Sequence, residues 1–172
     1  MKIAIIGNSG SGKSTLAFKL SKILNIPLYH LDQYYWLPEW QEPNYYEFEQ
    51  MHNQLCDQEE WIIEGMNTRI LEYRFFSADV IIFLDIPTYV CLFRVVKRAI
   101  IDFGKVRSSS AKECPERIPD LKFLKFILSF NKQRKHKIGF LLECYKGQRH
   151  IFVIKNEMDK IELLTKLEKL EL

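Results

Sequence analysis

The stretch Gly7-Asn8-Ser9-Gly10-Ser11-Gly12-Lys13-Ser14-Thr15 decides the fold. It satisfies G-x-x-x-x-G-K-[ST] at every fixed position. An apolar run, Lys2–Ile6, precedes it and reads as a buried strand. Behind it, Leu16, Ala17, Leu20, Ile23 and Leu24 share one face of a helix predicted over Lys13–Leu24. Glycines let such a loop curl until successive backbone N–H groups point at phosphate oxygens, and the helix N-terminus adds a partial positive charge. The expected chemistry is binding of a nucleoside triphosphate by Gly7–Thr15, with Lys13 on the β- and γ-phosphates and Ser14 on Mg²⁺. ATPases, GTPases and kinases all use such a loop, so it does not choose among them.

Outward from the loop, Leu28–Leu31 reads as a short strand with Asp32 just past it, and Trp61–Glu64, Val80–Asp85 and His150–Lys155 read as further strands. Helices are predicted over Tyr45–Glu60, from Pro87 to about Phe103, over Leu121–Tyr145, and over Glu157–Leu172 with Ile161, Leu164, Leu167 and Leu170 on its stripe. Strands that alternate with helices require crossover connections. The pattern predicts a three-layer α/β/α P-loop domain on a five-stranded, mostly parallel sheet, with residues 1–172 as a single domain. Ligands of such sheets sit at the carboxyl ends of the strands, which singles out Gly7–Ser14, Asp32, Glu64–Gly65, Asp85–Pro87 and Asn156.

Composition agrees with one globular domain: 172 residues, 47% hydrophobic and 27% charged. A net charge of +3 is too mild to argue for nucleic acid and suits anionic substrates. Cys56, Cys91, Cys114 and Cys144 form no C-x-x-C pair, which argues against a zinc site and for reduced, mostly buried thiols. The opening apolar run is too short for a signal peptide, and no apolar stretch approaches the roughly 18 residues of a membrane span. The cytoplasm is the expected compartment.

Two segments stand out between the elements. Residues 33–60 are the candidate acceptor-binding region. Its first part, Gln33–Asn44, is predicted as an ordered loop, and its aromatic residues either stack on an acceptor ring or form a small satellite core. Residues 104–120 are polar and Pro-containing, a candidate mobile lid. Asp32 is placed to take a hydroxyl proton from the acceptor or to hold Mg²⁺ through water, or else it caps a turn. Glu64, at the end of an apolar strand, contacts metal-bound water or forms a structural ion pair. Arg69 and Arg74 either grip an anionic group of the acceptor or lie in solvent. Arg107, Arg117 and Arg134, in or after the lid, are candidates for neutralising the transferred phosphoryl group. The basic run Lys132–Lys137 is a solvated face, a set of phosphate contacts or a weak nucleic-acid patch, and His30 is expected to pack at a strand end.

These motifs together resemble the adenylate-kinase-like branch of P-loop kinases. Trp61-Ile62-Ile63-Glu64-Gly65 is similar to that branch's apolar strand ending in Asp-Gly near the metal, with Glu64 in place of the Asp. Phe83-Leu84-Asp85-Ile86-Pro87 resembles its fourth strand, and Arg94 and Arg98 resemble its Arg-x-x-x-Arg ahead of the lid. The resemblance implies that Arg94 stacks on adenine, that Arg98 contacts phosphates, and that the strand order is 2-3-1-4-5. His30-Leu31-Asp32, Trp36-Leu37-Pro38-Glu39-Trp40 and Cys114-Pro115-Glu116 add a narrower likeness to bacterial DNA topology modulation proteins. Met66-Asn67-Thr68-Arg69 replaces the Phe-Pro-Arg of adenylate kinases, so AMP is not implied as the acceptor.

The expected activity is ATP- and Mg²⁺-dependent phosphoryl transfer to a small molecule, plausibly a nucleotide or nucleoside. The expected roles fall to Lys13, Asp32, Arg98, Arg117 and Arg134 in catalysis, and to Ser14 and, through water, Glu64 at the metal. The alternatives are an ATP-binding regulatory protein acting on DNA topology or a DNA-bound partner, and a plain nucleoside triphosphatase.

Overall fold

The computed structural model describes residues 1–170, with side chains through Leu167. Five strands form one sheet: β1 (Lys2–Gly7), β2 (Leu28–His30), β3 (Trp61–Glu64), β4 (Val80–Leu84) and β5 (His150–Ile154). Their order is β2-β3-β1-β4-β5, and every pairing is parallel, so the expected order holds and "mostly parallel" becomes wholly parallel. Parallel pairing puts every strand's carboxyl end on one edge, with the loop of β1 at the centre.

Both faces of the sheet are covered, which is why the strands read as continuous apolar runs. Successive residues point to opposite faces. Ile3 and Ile5 join Ile62, Ile82 and Leu84 in a core shared with α1 (Lys13–Leu24), α5 (Thr88–Ile101) and α8 (Glu157–Leu170). Ala4 and Ile6 join Ile63, Ile81 and Phe83 in a second core with α3 (Tyr45–Cys56), α4 (Leu71–Ser77) and α7 (Lys135–Cys144). Each such side chain fully withdrawn from water contributes about 1.5–3 kcal/mol before entropy is charged against it.

Several predicted boundaries move. Leu31 is not the end of β2 but opens a short helix, α2 (Leu31–Tyr35), and a 3-10 turn follows at Pro38–Trp40 inside the predicted loop. α4 was not anticipated, because its seven residues carry less than two turns of pattern. The helix expected over Leu121–Tyr145 is two, α6 (Leu121–Gln133) and α7, broken at Arg134, whose φ of −117° leaves the helical range. In α8 the buried stripe is Leu163 and Leu167, while Ile161 is exposed, and the side chain of Leu170 lies outside the described residues. Residues 104–120 carry no helix or strand.

Candidate active site

The loop between β1 and α1 is curled and held in place by its neighbours. Gly12, in the left-handed region at φ 98°, precedes α1, and no side chain caps that helix. Asn44 caps α3 and Asp120 caps α6, while α2, α4, α5 and α7 also start without a side-chain cap. The first N–H groups of α1 are thus left uncapped. The loop is pinned from three sides. Asn8, buried, donates Nδ2–H to the Ile127 carbonyl at 3.0 Å and accepts from the Ser9 amide at 2.8 Å. Lys13 Nζ folds back to the Asn8 carbonyl at 3.1 Å, and Arg94 Nη1 reaches the Ser11 carbonyl at 3.4 Å. Gly10, at φ 80°, seats the loop on α5 so tightly that an added Cβ would stand 2.3 Å from the Cys91 carbonyl oxygen. Ser11 Oγ is buried, against Gly7, without a hydrogen-bond partner. Thr15 is exposed at the cleft mouth.

Beside the loop stands a carboxylate with two donors. Glu64 Oε1 accepts the Ser14 hydroxyl at 2.9 Å and the His30 Nδ1–H at 2.7 Å. Burial pushes the Glu64 carboxyl upward, but His30, Lys13 and Ser14 outweigh it and hold its pKa below the ordinary value. His30 ends β2 and is packed there, as expected, and its ring also reaches Glu64. It is the imidazole that orients Glu64, and the signal available for it was only its place one residue before the β2 turn. Gly65, at φ 140°, permits this approach: a Cβ there would meet Leu31 Cβ at 2.8 Å, so no bulkier residue lets α2 come this near to β3.

Asp32 lies in the first turn of α2. The residue is exposed, although many protein atoms stand around its carboxylate. That crowding and the charge of Glu64 raise its pKa above the ordinary value, and Lys13, Arg107 and Arg98 pull it partly back. These influences put Asp32 among the cationic and anionic groups of the loop, not on a remote turn. A cleft of about 520 Å³ opens beside the loop, lined by Ser14, Thr15, His30 and, from the 104–120 segment, Lys105 and Arg107, but not by Asp32.

Within residues 104–120 one carboxylate ties the segment to α5. Glu116 is 7% exposed. Its Oε1 accepts from Arg98 Nε at 3.0 Å, and its Oε2 stands 2.7 Å from Arg107 Nε as an ion pair without hydrogen-bond geometry. The lid base is also zipped by Gly104 N–H to the Glu116 carbonyl and Glu116 N–H to the Lys105 carbonyl, each 2.9 Å. Farther out the lid bonds to the Leu37–Trp40 segment. Glu39 N–H donates to the Glu113 carbonyl at 3.2 Å, Trp40 Nε1–H to the Pro115 carbonyl at 3.0 Å, and the Cys114 thiol to the Leu37 carbonyl at 3.2 Å. Gln33 Nε2 donates to the Ser108 carbonyl.

The remaining arginines separate. Arg117 is exposed, 3.6 Å from Asp120 and over the Trp40 ring, so the structure shows it fastening the lid to the aromatic segment. Arg134 lies over the Phe126 ring at the α6–α7 break. Neither shows a contact with the loop, in contrast to Arg94, nor with the Arg98–Glu116–Arg107 group. Arg69 is exposed and covers the Tyr45 ring. Arg74 is not in solvent or in the cleft but fully buried, donating Nη1–H to the Gly65 carbonyl at 3.1 Å. Burial holds its pKa down at about 10, and its Nε and Nη2 have no partner. The aromatic segment packs on itself, Tyr35 edge-on to both Trp36 and Phe48 and Trp36 edge-on to Trp40, which makes it a satellite core under the lid. In the basic run, Lys135 pairs with Asp85 and Lys137 with Glu72, the behaviour of a solvated face.

With the site in place, comparison with known proteins adds the fold. Shikimate kinase from Aquifex aeolicus vf5 matches at TM-score 0.55 and 23% identity, over 98% of this chain and 97% of that one. Deoxyadenosine kinase from M. mycoides matches at TM-score 0.56 and 20% identity, over 99% and 100%. Shikimate kinase from Acinetobacter baumannii matches at TM-score 0.62 and 15% identity, over 98% and 93%. The fold is that of the P-loop kinases. No family model and no curated protein matches the chain. Among the described residues no helix is long and apolar enough to cross a membrane.

Proposed function

We propose that the chain is an ATP- and Mg²⁺-dependent kinase of a small molecule with a hydroxyl acceptor, a nucleoside before a nucleotide. The observation that carries this reading is the convergence of Ser14, Glu64, His30 and Asp32 beside an uncapped phosphate loop, under a lid that brings in Arg98 and Arg107. The shikimate and deoxyadenosine kinases that share the fold support it in general terms. The narrower likeness to topology modulation proteins remains a reading of His30–Asp32 and Trp36–Trp40.

The residues fit both ligands. The loop amides and Lys13 would hold the phosphates, and Arg94, lying across the Ser11 carbonyl, offers its guanidinium face to the base. Ser14 and, through water, Glu64 would hold Mg²⁺, which supplies charge neutralisation across the β- and γ-phosphate oxygens when bound. His30 keeps the Glu64 carboxylate aimed at Ser14. Asp32 takes the proton from the acceptor hydroxyl, and its raised pKa makes it a better base than an ordinary aspartate. A phosphate acceptor needs no such base and would be repelled by two neighbouring carboxylates, which is why a hydroxyl is favoured. Arg98 and Arg107 face the charge that spreads over the transferred oxygens, and the closed lid keeps water from the reaction.

The test is ADP release from Mg·ATP across nucleosides, nucleoside monophosphates and sugars, with Lys13→Ala as control. A nucleoside-dependent rate lost by at least about 100-fold in Lys13→Ala supports the proposal. A slow rate indifferent to every acceptor sinks it, and tight salt-sensitive duplex binding without turnover would favour the regulatory alternative.

A further inference from the structure

The outer face of α5 carries an apolar stripe that nothing in the described structure covers. Tyr89 is 75% exposed, Phe93 65%, Val96 40%, Ile100 73% and, just past the helix end, Phe103 63%. At about 100° per residue the four on the helix fall within an arc of about 60°, and Phe103 follows them past the helix end. They are separate from the nucleotide side of the same helix, because Arg94, which reaches the loop, points about 140° round from Tyr89. The buried face, Cys91, Val95 and Ala99, lies on a third side.

We infer that this stripe is the interface of a two-fold symmetric dimer, each α5 packing antiparallel against the α5 of a second copy. The spacing is the first argument. A two-fold interface must be self-complementary, since each residue meets its mate from the other direction. Measured from Val96, the stripe runs at −7, −3, 0, +4 and +7, nearly the same read either way. Tyr89 then lies against the second copy's Phe103, and Phe93 lies near its Ile100, with Val96 on the axis where a small side chain allows close approach. The 4-3-4-3 spacing is also that of a helix-pairing seam.

Area is the second argument. Three rings open to this extent, with Ile100 and Val96, expose roughly 600 Å² of apolar surface per copy, near the ~800 Å² that each partner buries in a stable interface. Such a patch is at the upper end of what a monomer leaves open. Charge does not oppose the pairing. Lys97 is the one cation bordering the stripe on α5, and its stem can lie along the seam with the ammonium in water.

The experiment measures the mass of the full chain in solution from about 1 to 100 μM, by sedimentation equilibrium and light scattering, beside Phe93→Glu and Ile100→Lys. The expected result is twice the chain mass for the native protein and a twofold lower mass for each variant. Far-UV circular dichroism and ATP affinity should stay unchanged in the variants, because both residues are exposed and face away from the loop. A native protein that is monomeric throughout this range overturns the inference, and monomers that bind anionic vesicles would reassign the face to a lipid surface. A folded variant that remains dimeric also overturns it. None of these outcomes depends on the phosphoryl-transfer reading, which the acceptor panel tests separately.

Discussion

Glu116→Gln isolates the lid carboxylate with little change of shape. In the native protein this nearly buried group holds Arg98 at 3.0 Å and Arg107 at 2.7 Å. Removing one partner of a buried ion pair costs about 3–5 kcal/mol, because the remaining charge is left uncompensated. Both guanidinium groups keep 25% of their side-chain surface in water, and a glutamine can still accept one N–H. The expected loss is therefore smaller, about 2–3 kcal/mol. For a chain of this size each kcal/mol lowers Tm by about 2–4 °C, so the variant should melt roughly 4–12 °C lower. Calorimetry at neutral pH reads this directly. A double-mutant cycle with Arg98→Met should return a coupling of at least about 1 kcal/mol. The reasoning also requires Mg·ATP to raise Tm more in Glu116→Gln than in the native protein, since two freed cations face the phosphates. A Tm within about 1 °C of native, with no coupling to Arg98, would refute the view that Glu116 organises the lid.

Three further outcomes are expected. Gly10→Ala forces a left-handed alanine whose Cβ overlaps the Cys91 carbonyl, so the loop must lift off α5; equilibrium dialysis should show ATP affinity falling by at least about 10-fold, and retained affinity would show that the loop is not seated on α5. Asp32→Asn should abolish transfer while raising Tm: a carboxyl whose folded pKa is raised favours the fold below its unfolded pKa, and that contribution is lost as pH rises through the folded value, so at neutral pH the ionised group costs stability. Correspondingly, native kcat/KM should fall as pH is lowered through the raised Asp32 value, and a flat acid limb would remove Asp32 as the base. Finally, a thiol reagent should modify one cysteine rapidly in the native protein, the exposed Cys144, because Cys56, Cys91 and Cys114 are buried and burial pushes the Cys56 thiol up to about 12; mass mapping that finds Cys56 labelled first would contradict the packing.

The parts of this fold that were legible in the sequence are those written in short-range pattern. The phosphate loop, the apolar runs of β1, β3 and β4, and the lid as a polar break all depend on neighbouring residues. The boundaries that moved depend on contacts made from afar. Leu31 opens a helix because Gly65 admits it against β3, and the helix expected over Leu121–Tyr145 breaks at Arg134, where no proline or glycine marks the place. Arg74 looked like any charged residue of a surface segment, and only the packing of α4 beneath Gly65 encloses it.

The sequence by itself determined a glycine-rich P-loop motif on a mostly parallel, two-sided sheet, because a loop motif and strand apolarity are local properties of the chain. The tertiary structure alone decided how the site is wired. Ser14 and Glu64 meet across 50 positions, His30 and Glu64 across 34, and Arg98 and Glu116 across 18. Charged and polar side chains carry no periodic signal of their partners; a single glutamate reads the same in solvent, in an ion pair or beneath a metal. Which of these it becomes is set by the desolvation and the donors that the folded chain places around it.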